Sequence, residues 1–132
     1  MGCWLIAKDR INLHTKVDEE LLREFIEFSE ISCPTSYCRE KFFNPWFFDE
    51  NNMLVCHAGK FAEPSIWYKH LRDQFFRFWN IYLTEEPHII GEGDADFDII
   101  CKERNEEYKT WIERKSQIRT CLKGNWYWYK EY

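Results

Sequence analysis

The sequence predicts an α+β protein, an antiparallel sheet of four to six strands with two helices packed on one face. Three stretches carry that prediction. The apolar run Met53–Cys56 feeds Glu63–Asn80, where Trp67, Leu71, Phe75, Phe78 and Trp79 recur at helical spacing. Val17–Glu30 repeats the helical pattern with Leu21, Leu22, Phe25, Ile26 and Phe28 inward. Gly91-Glu92-Gly93-Asp94 separates two β-branched segments and reads as a hairpin turn. With 132 residues, the chain is long enough for one domain, 1–132, with its own core.

Taken in order, Trp4–Leu13 is a first strand with an irregularity at Asp9-Arg10. Thr15 followed by Asp18 resembles a capping box and opens the first helix. Ser32–Asn52 is a long connection marked by Cys33-Pro34 and Asn44-Pro45. Inside it, the aromatic run Phe42–Phe48 is expected to pack back over a sheet edge rather than stay exposed. Asn52–Lys60 is a second strand. Pro64 suits the first turn of the central helix, where a missing N–H costs nothing. Ile81–Leu83 begins a third strand, and Pro87–Ile90 with Asp96–Cys101 forms the hairpin. Arg104–Gln117 fits either element: Tyr108, Trp111 and Ile112 suit a helix, and Tyr108, Thr110 and Ile112 suit a strand. Ile118–Tyr132 reads as a closing strand.

The composition excludes several classes. No run of about 18 apolar residues exists, so no membrane helix is expected. The first residues, MGCWLIAKDR, lack a secretory signal, and Ile6 stands where a myristoylation signal needs Ser or Thr. The six cysteines are therefore expected as reduced thiols in a cytoplasmic setting. Cys33 and Cys38, with four residues between them and no second close pair, match a zinc half-site poorly, and His14, His57, His70 and His88 are scattered. Asp94, Asp96 and Asp98 open like a calcium loop, but Ile99 and Asn105 occupy positions that need Gly and Glu. No metal, no cofactor and no catalytic residue is expected.

Charge points outward. The net charge of −5 argues against a general nucleic-acid binder, yet the charge is uneven. Residues 1–100 hold ten Lys/Arg against eighteen Asp/Glu, whereas 101–132 hold eight against five. The acids gather on the first helix, with Glu20, Glu24 and Glu27, and at the turn, with Glu92, Asp94 and Asp96. The tail combines Arg119, Lys123 and Lys130 with Trp126 and Trp128, rings that could stack on bases.

Asn44-Pro45-Trp46, a strand ending at Gly59-Lys60, a Trp67-centred helix and Gly91–Asp98 before Ile99-Ile100 together resemble small uncharacterised α+β proteins of phages and mobile elements. The resemblance covers about residues 44–105 and brings no catalytic residues. It departs from the pattern at Gly93, which interrupts the acidic turn, and at Asp98, which replaces a Gly. It implies a hairpin strand over Arg104–Gln117 and a role between phage and host. The leading expectation is a small acidic, non-enzymatic binding protein, a phage-type inhibitor of a host nuclease or immune effector. It would act in the host cytoplasm on a host protein with a basic surface. The alternatives are a single-stranded nucleic-acid binder using the aromatic tail and a cation-dependent hydrolase using the acidic turn.

Overall fold

The computed structural model describes residues 4–32, 34, 43–60 and 63–130, with side chains through residue 118. Its elements run β1 (Trp4–Ala7), α1 (Glu19–Ile31), β2 (Trp46–Phe48), β3 (Leu54–Cys56), β4 (Gly59–Lys60), α2 (Glu63–Gln74), a 3-10 turn (Phe76–Trp79), β5 (Ile89–Gly91) and α3 (Phe97–Lys130). The class is α+β. The expected single sheet of four to six strands is instead two antiparallel sheets, β4-β1-β5 and the β2-β3 hairpin. Three helices replace the expected two.

The two sheets arise because two predicted strands break. Trp4–Leu13 leaves strand geometry after Ala7, and Ile11 pairs with the hairpin as an isolated bridge to Leu54. Asn52–Lys60 splits at His57-Ala58, so β3 pairs with β2 while β4 pairs with β1. The His57 amide donates to the Pro45 carbonyl at 2.9 Å and closes the hairpin end. At the start of α2, a Cβ on Gly59 would lie 3.0 Å from the Glu63 carboxylate and 3.2 Å from Pro64, so only glycine fits without displacement.

α1 begins two residues later than expected. Asp18, not Thr15, is its cap and accepts from the Leu21 amide at 2.9 Å. Leu21, Leu22, Phe25 and Ile26 are buried as the spacing requires, and Phe28 is partly buried. α2 ends at Gln74, because the chain tightens into a 3-10 turn and stops at left-handed Asn80. The Ile81 amide reaches back to the Phe76 carbonyl at 2.9 Å, a glycine-type helix stop performed by asparagine. The change of period turns Phe78 outward, 78% exposed, where unbroken helix would have buried it.

The core is aromatic. Phe25 meets Phe48 at 4.9 Å, Phe75 at 5.7 Å and Trp111 at 6.1 Å. Phe47, Phe48 and Trp46 are buried, as expected of the aromatic run, although Phe43 is exposed and Phe42 lies outside the described residues. The Trp46 indole N–H donates to the Pro64 carbonyl at 2.8 Å, which fixes α2 on the hairpin.

The second half of the chain differs most from expectation. Ile81–Leu83 is irregular, with Ile81 buried and Tyr82 exposed. Only one side of the expected hairpin exists: β5 forms, but Asp96–Cys101 is the start of α3. The Gly91 amide donates to the Asp94 carboxylate at 3.0 Å, and the Phe97 amide to the Asp94 carbonyl at 3.2 Å. Acids in this position favour a helix N-terminus over a strand, whatever the β-branched Ile99-Ile100 prefer. Helix then continues through Arg104–Gln117 and along the backbone of residues 118–130, replacing both the resemblance-implied strand and the closing strand. No helix among the described residues is long and apolar enough to cross a membrane.

Candidate functional site

The polar centre of the molecule is a residue that the sequence marked only as an irregularity. Arg10 leaves β1 and points its guanidinium between the β2–β3 turn and α3. It donates to the Asp49 carboxylate at 2.8 Å, to both Glu107 oxygens at 2.7 and 2.6 Å, and to Glu103. The two-point pair with Glu107 matches the planar fork of guanidinium to a carboxylate. Hydrogen bonding to Glu107 is the main reason Arg10 is held more firmly protonated than usual. The same bond holds the Glu107 carboxyl below the usual range.

Asp49 has a second task. Its other oxygen accepts from the Asn51 and Met53 amides at 2.8 and 2.9 Å, so one buried carboxylate shapes the hairpin turn and anchors Arg10. Asn52 completes the turn with φ 59 and accepts from Arg114 at 2.7 Å. Arg114 also donates to the Asp49 carbonyl at 3.3 Å, and burial is what lowers its pKa.

Arg104 is 2% exposed, donates to the Lys8 carbonyl at 2.9 Å, and leaves its Nε without a partner among the described residues. Desolvation first, and the charge of Arg10 second, lower its pKa. Between α3 and the hairpin turn lies a cleft of about 640 Å³. Its floor is the buried rings of Phe48 and Trp111, and its walls hold Arg10, Asp49, Glu103 and Arg114.

The sequence-predicted residues divide into two sets. The turn acids are used locally: Glu92 accepts from the Trp4 amide at 2.8 Å, Asp94 from Gly91, and Asp96 pairs with Lys8 at 3.3 Å. Glu20 is exposed and Glu24 and Glu27 are half-buried along α1, none with an ion pair to a described residue. No described interaction joins the turn set to the helix set. No group of three or more His, Cys, Asp or Glu among the described residues is arranged to hold a metal.

The Cys33–Cys38 pair lies outside the described residues, as do the side chains of Arg119, Lys123, Trp126, Trp128 and Lys130. The helical backbone nevertheless sets their register: positions 119, 123, 126 and 130 follow one line, and 128 falls opposite.

Arg10, Asp49, Glu103, Glu107 and Arg114 were not among the expected site residues. One signal was present. Glu103 and Glu107 are like charges four apart on a helix, a destabilising spacing unless a cation from elsewhere sits between them. Compared with protein-family models, curated proteins and solved structures, the chain matches none.

Proposed function

We propose that this is a small non-enzymatic binding protein that docks through the outer face of α1 on a basic surface of a partner protein. The phage-type inhibitor of a nuclease or immune effector is the form of that role we favour. One observation carries it: Glu20, Glu24 and Glu27 have no ion pair to a described residue, whereas the acids of the turn are drawn into the fold. Carboxylates held on a rigid helix suit electrostatic steering toward a cationic groove. Glu92, Asp94 and Asp96 stay exposed and contribute a secondary rim.

The test compares the tagged protein with a Glu20→Gln/Glu24→Gln/Glu27→Gln variant in pull-downs from nuclease-treated lysate. A stoichiometric protein captured by the first and lost by the second supports the reading. Equal capture by both overturns it.

A second reading, single-stranded nucleic-acid binding, is favoured by the helical register that aligns positions 119, 123, 126 and 130. It expects a steep salt dependence that flattens in an Arg119→Gln/Lys123→Gln variant. It also expects loss of affinity in Trp126→Ala but not in Trp128→Ala, since the two positions fall on opposite sides. Equal effects of the two tryptophans would remove this reading. The hydrolase reading gains no support, because each turn acid already accepts a hydrogen bond or holds an ion pair.

A further inference from the structure

The α3–hairpin cleft is unevenly charged along its length. It is lined by five carboxylates and two guanidinium groups, and the two guanidiniums are not alike. Arg10 is surrounded by Asp49, Glu103 and Glu107. Arg114 donates only to neutral oxygens, Asn52 Oδ1 and the Asp49 carbonyl, with no carboxylate at ion-pair distance among the described residues. A half-buried guanidinium served this way has room for an anion, and its 3.3 Å bond to the Asp49 carbonyl is the one an anion would displace.

Two helical turns toward the start of α3 the imbalance reverses. Glu106 has only an exposed i,i+3 pair with Lys109, side chains 70% and 74% exposed, which is worth little. Glu103 shares Arg10 with two other acids and is 54% exposed. At one end Arg114 feels the charge of Asp49 but has no carboxylate at ion-pair distance among the described residues, and at the other carboxylates outnumber the cations they share. Thr110 and the Trp111 ring lie between.

We propose that this cleft binds a basic α-amino acid, free or as the C-terminal residue of a peptide. Its carboxylate pairs with Arg114 and its side-chain cation lies between Glu103 and Glu106. A guanidinium fork grips a carboxylate at two points, so Arg114 selects for that group rather than for charge alone. The acids at the far end select for a long cationic side chain over a neutral one. This site is separate from the α1 face, and either can fail without the other.

The experiment is a titration of the full chain, followed by amide and indole NMR shifts, with L-arginine, Nα-acetyl-L-arginine and agmatine, which lacks the carboxylate. L-arginine is expected to shift Thr110 and Trp111 saturably, and agmatine to bind about tenfold more weakly, one lost ion pair. Arg114→Met should erase the preference for arginine, while Glu106→Gln, an exposed position, should weaken arginine and agmatine alike. Retained binding of the acetylated ligand identifies a peptide C-terminus, and its loss identifies the free amino acid. The proposal is overturned if no ligand saturates, if agmatine binds the unaltered protein as tightly as arginine, or if Arg114→Met changes nothing.

Discussion

α2 and α3 are both amphipathic, yet they are held to the body by different physics. The inner side of α2 is Pro64, Trp67, Tyr68 and Leu71, all buried. The inner side of α3 runs Phe97, Cys101, Arg104, Tyr108, Trp111, Lys115 and Ile118, where cations take positions that a hydrophobic stripe would give to leucine. α2 is fixed by apolar area. α3 is fixed by a few large side chains together with Arg10, Arg104 and Arg114, whose hydrogen bonds tie it to two segments, the stretch Lys8–Arg10 and the β2–β3 turn. Apolar area tolerates small shifts in register, whereas guanidinium forks set it to within a hydrogen bond's length.

Removing the largest ring from α2 should have the largest effect. Trp67 is 0% exposed, so Trp67→Ala is expected to lower stability by about 3–5 kcal/mol in urea unfolding. Next comes acid acting at the α3 contact. His57 packs against Tyr108 with the ring centroids 4.2 Å apart, and burial pushes its pKa down to about 4. Its folded value lies below the unfolded one, so its stabilising contribution is present above about pH 6.5 and is lost as pH falls toward 4. The loss is roughly 3 kcal/mol, read as the difference in unfolding free energy between pH 7.5 and pH 4. A His57→Phe variant should show a flatter profile over that window. Further acidification then protonates Glu107, whose carboxyl Arg10 holds low.

Arg10→Ala should cost about 2 kcal/mol, because the Asp49 side chain, 5% exposed, loses its cation. Arg10→Lys should recover only part of this, since an ammonium cannot make the two-point bond to Glu107. The smallest expected effect has the opposite sign. Arg104→Met removes a desolvated charge and an unpartnered Nε, so stability should stay level or rise by about 1 kcal/mol. A large loss on Arg104→Met would mean that α3 depends on that guanidinium as α2 depends on Trp67, and the contrast between the helices would collapse.

The same contrast explains what could be read from the sequence. Buried positions of α1 and most of α2 follow apolar periodicity, so Leu21, Leu22, Phe25, Ile26, Trp67 and Leu71 were all legible. α3 was not, because Arg104 and Lys115 hide its inner stripe while Ile112, an apparent core residue, is 41% exposed. Asp96–Cys101 misled for a local reason. Two β-branched isoleucines suggested a strand, and the hydrogen bonds that start a helix came from Asp94 and Asp96. Glu20, Glu24, Glu27 and the turn acids were visible as charges, but that Glu92 and Asp96 are drawn into the fold depends on Trp4 and Lys8, 88 residues away. Arg10 was illegible for the same reason: its partners are 39, 93 and 97 positions distant.

The strand order β4-β1-β5 bears on how the chain reaches this state. β1 lies in the middle of its sheet, yet its neighbours are near residues 60 and 90. A strand made first must wait for both flanks, while the β2–β3 hairpin and α1 need only local segments. Long loops must close before that sheet returns any energy, so its assembly is expected to set the folding rate. Until then, Leu5 and Ile6 present two unpaired strand edges, and a chain interrupted before residue 89 would leave one of them open to other molecules.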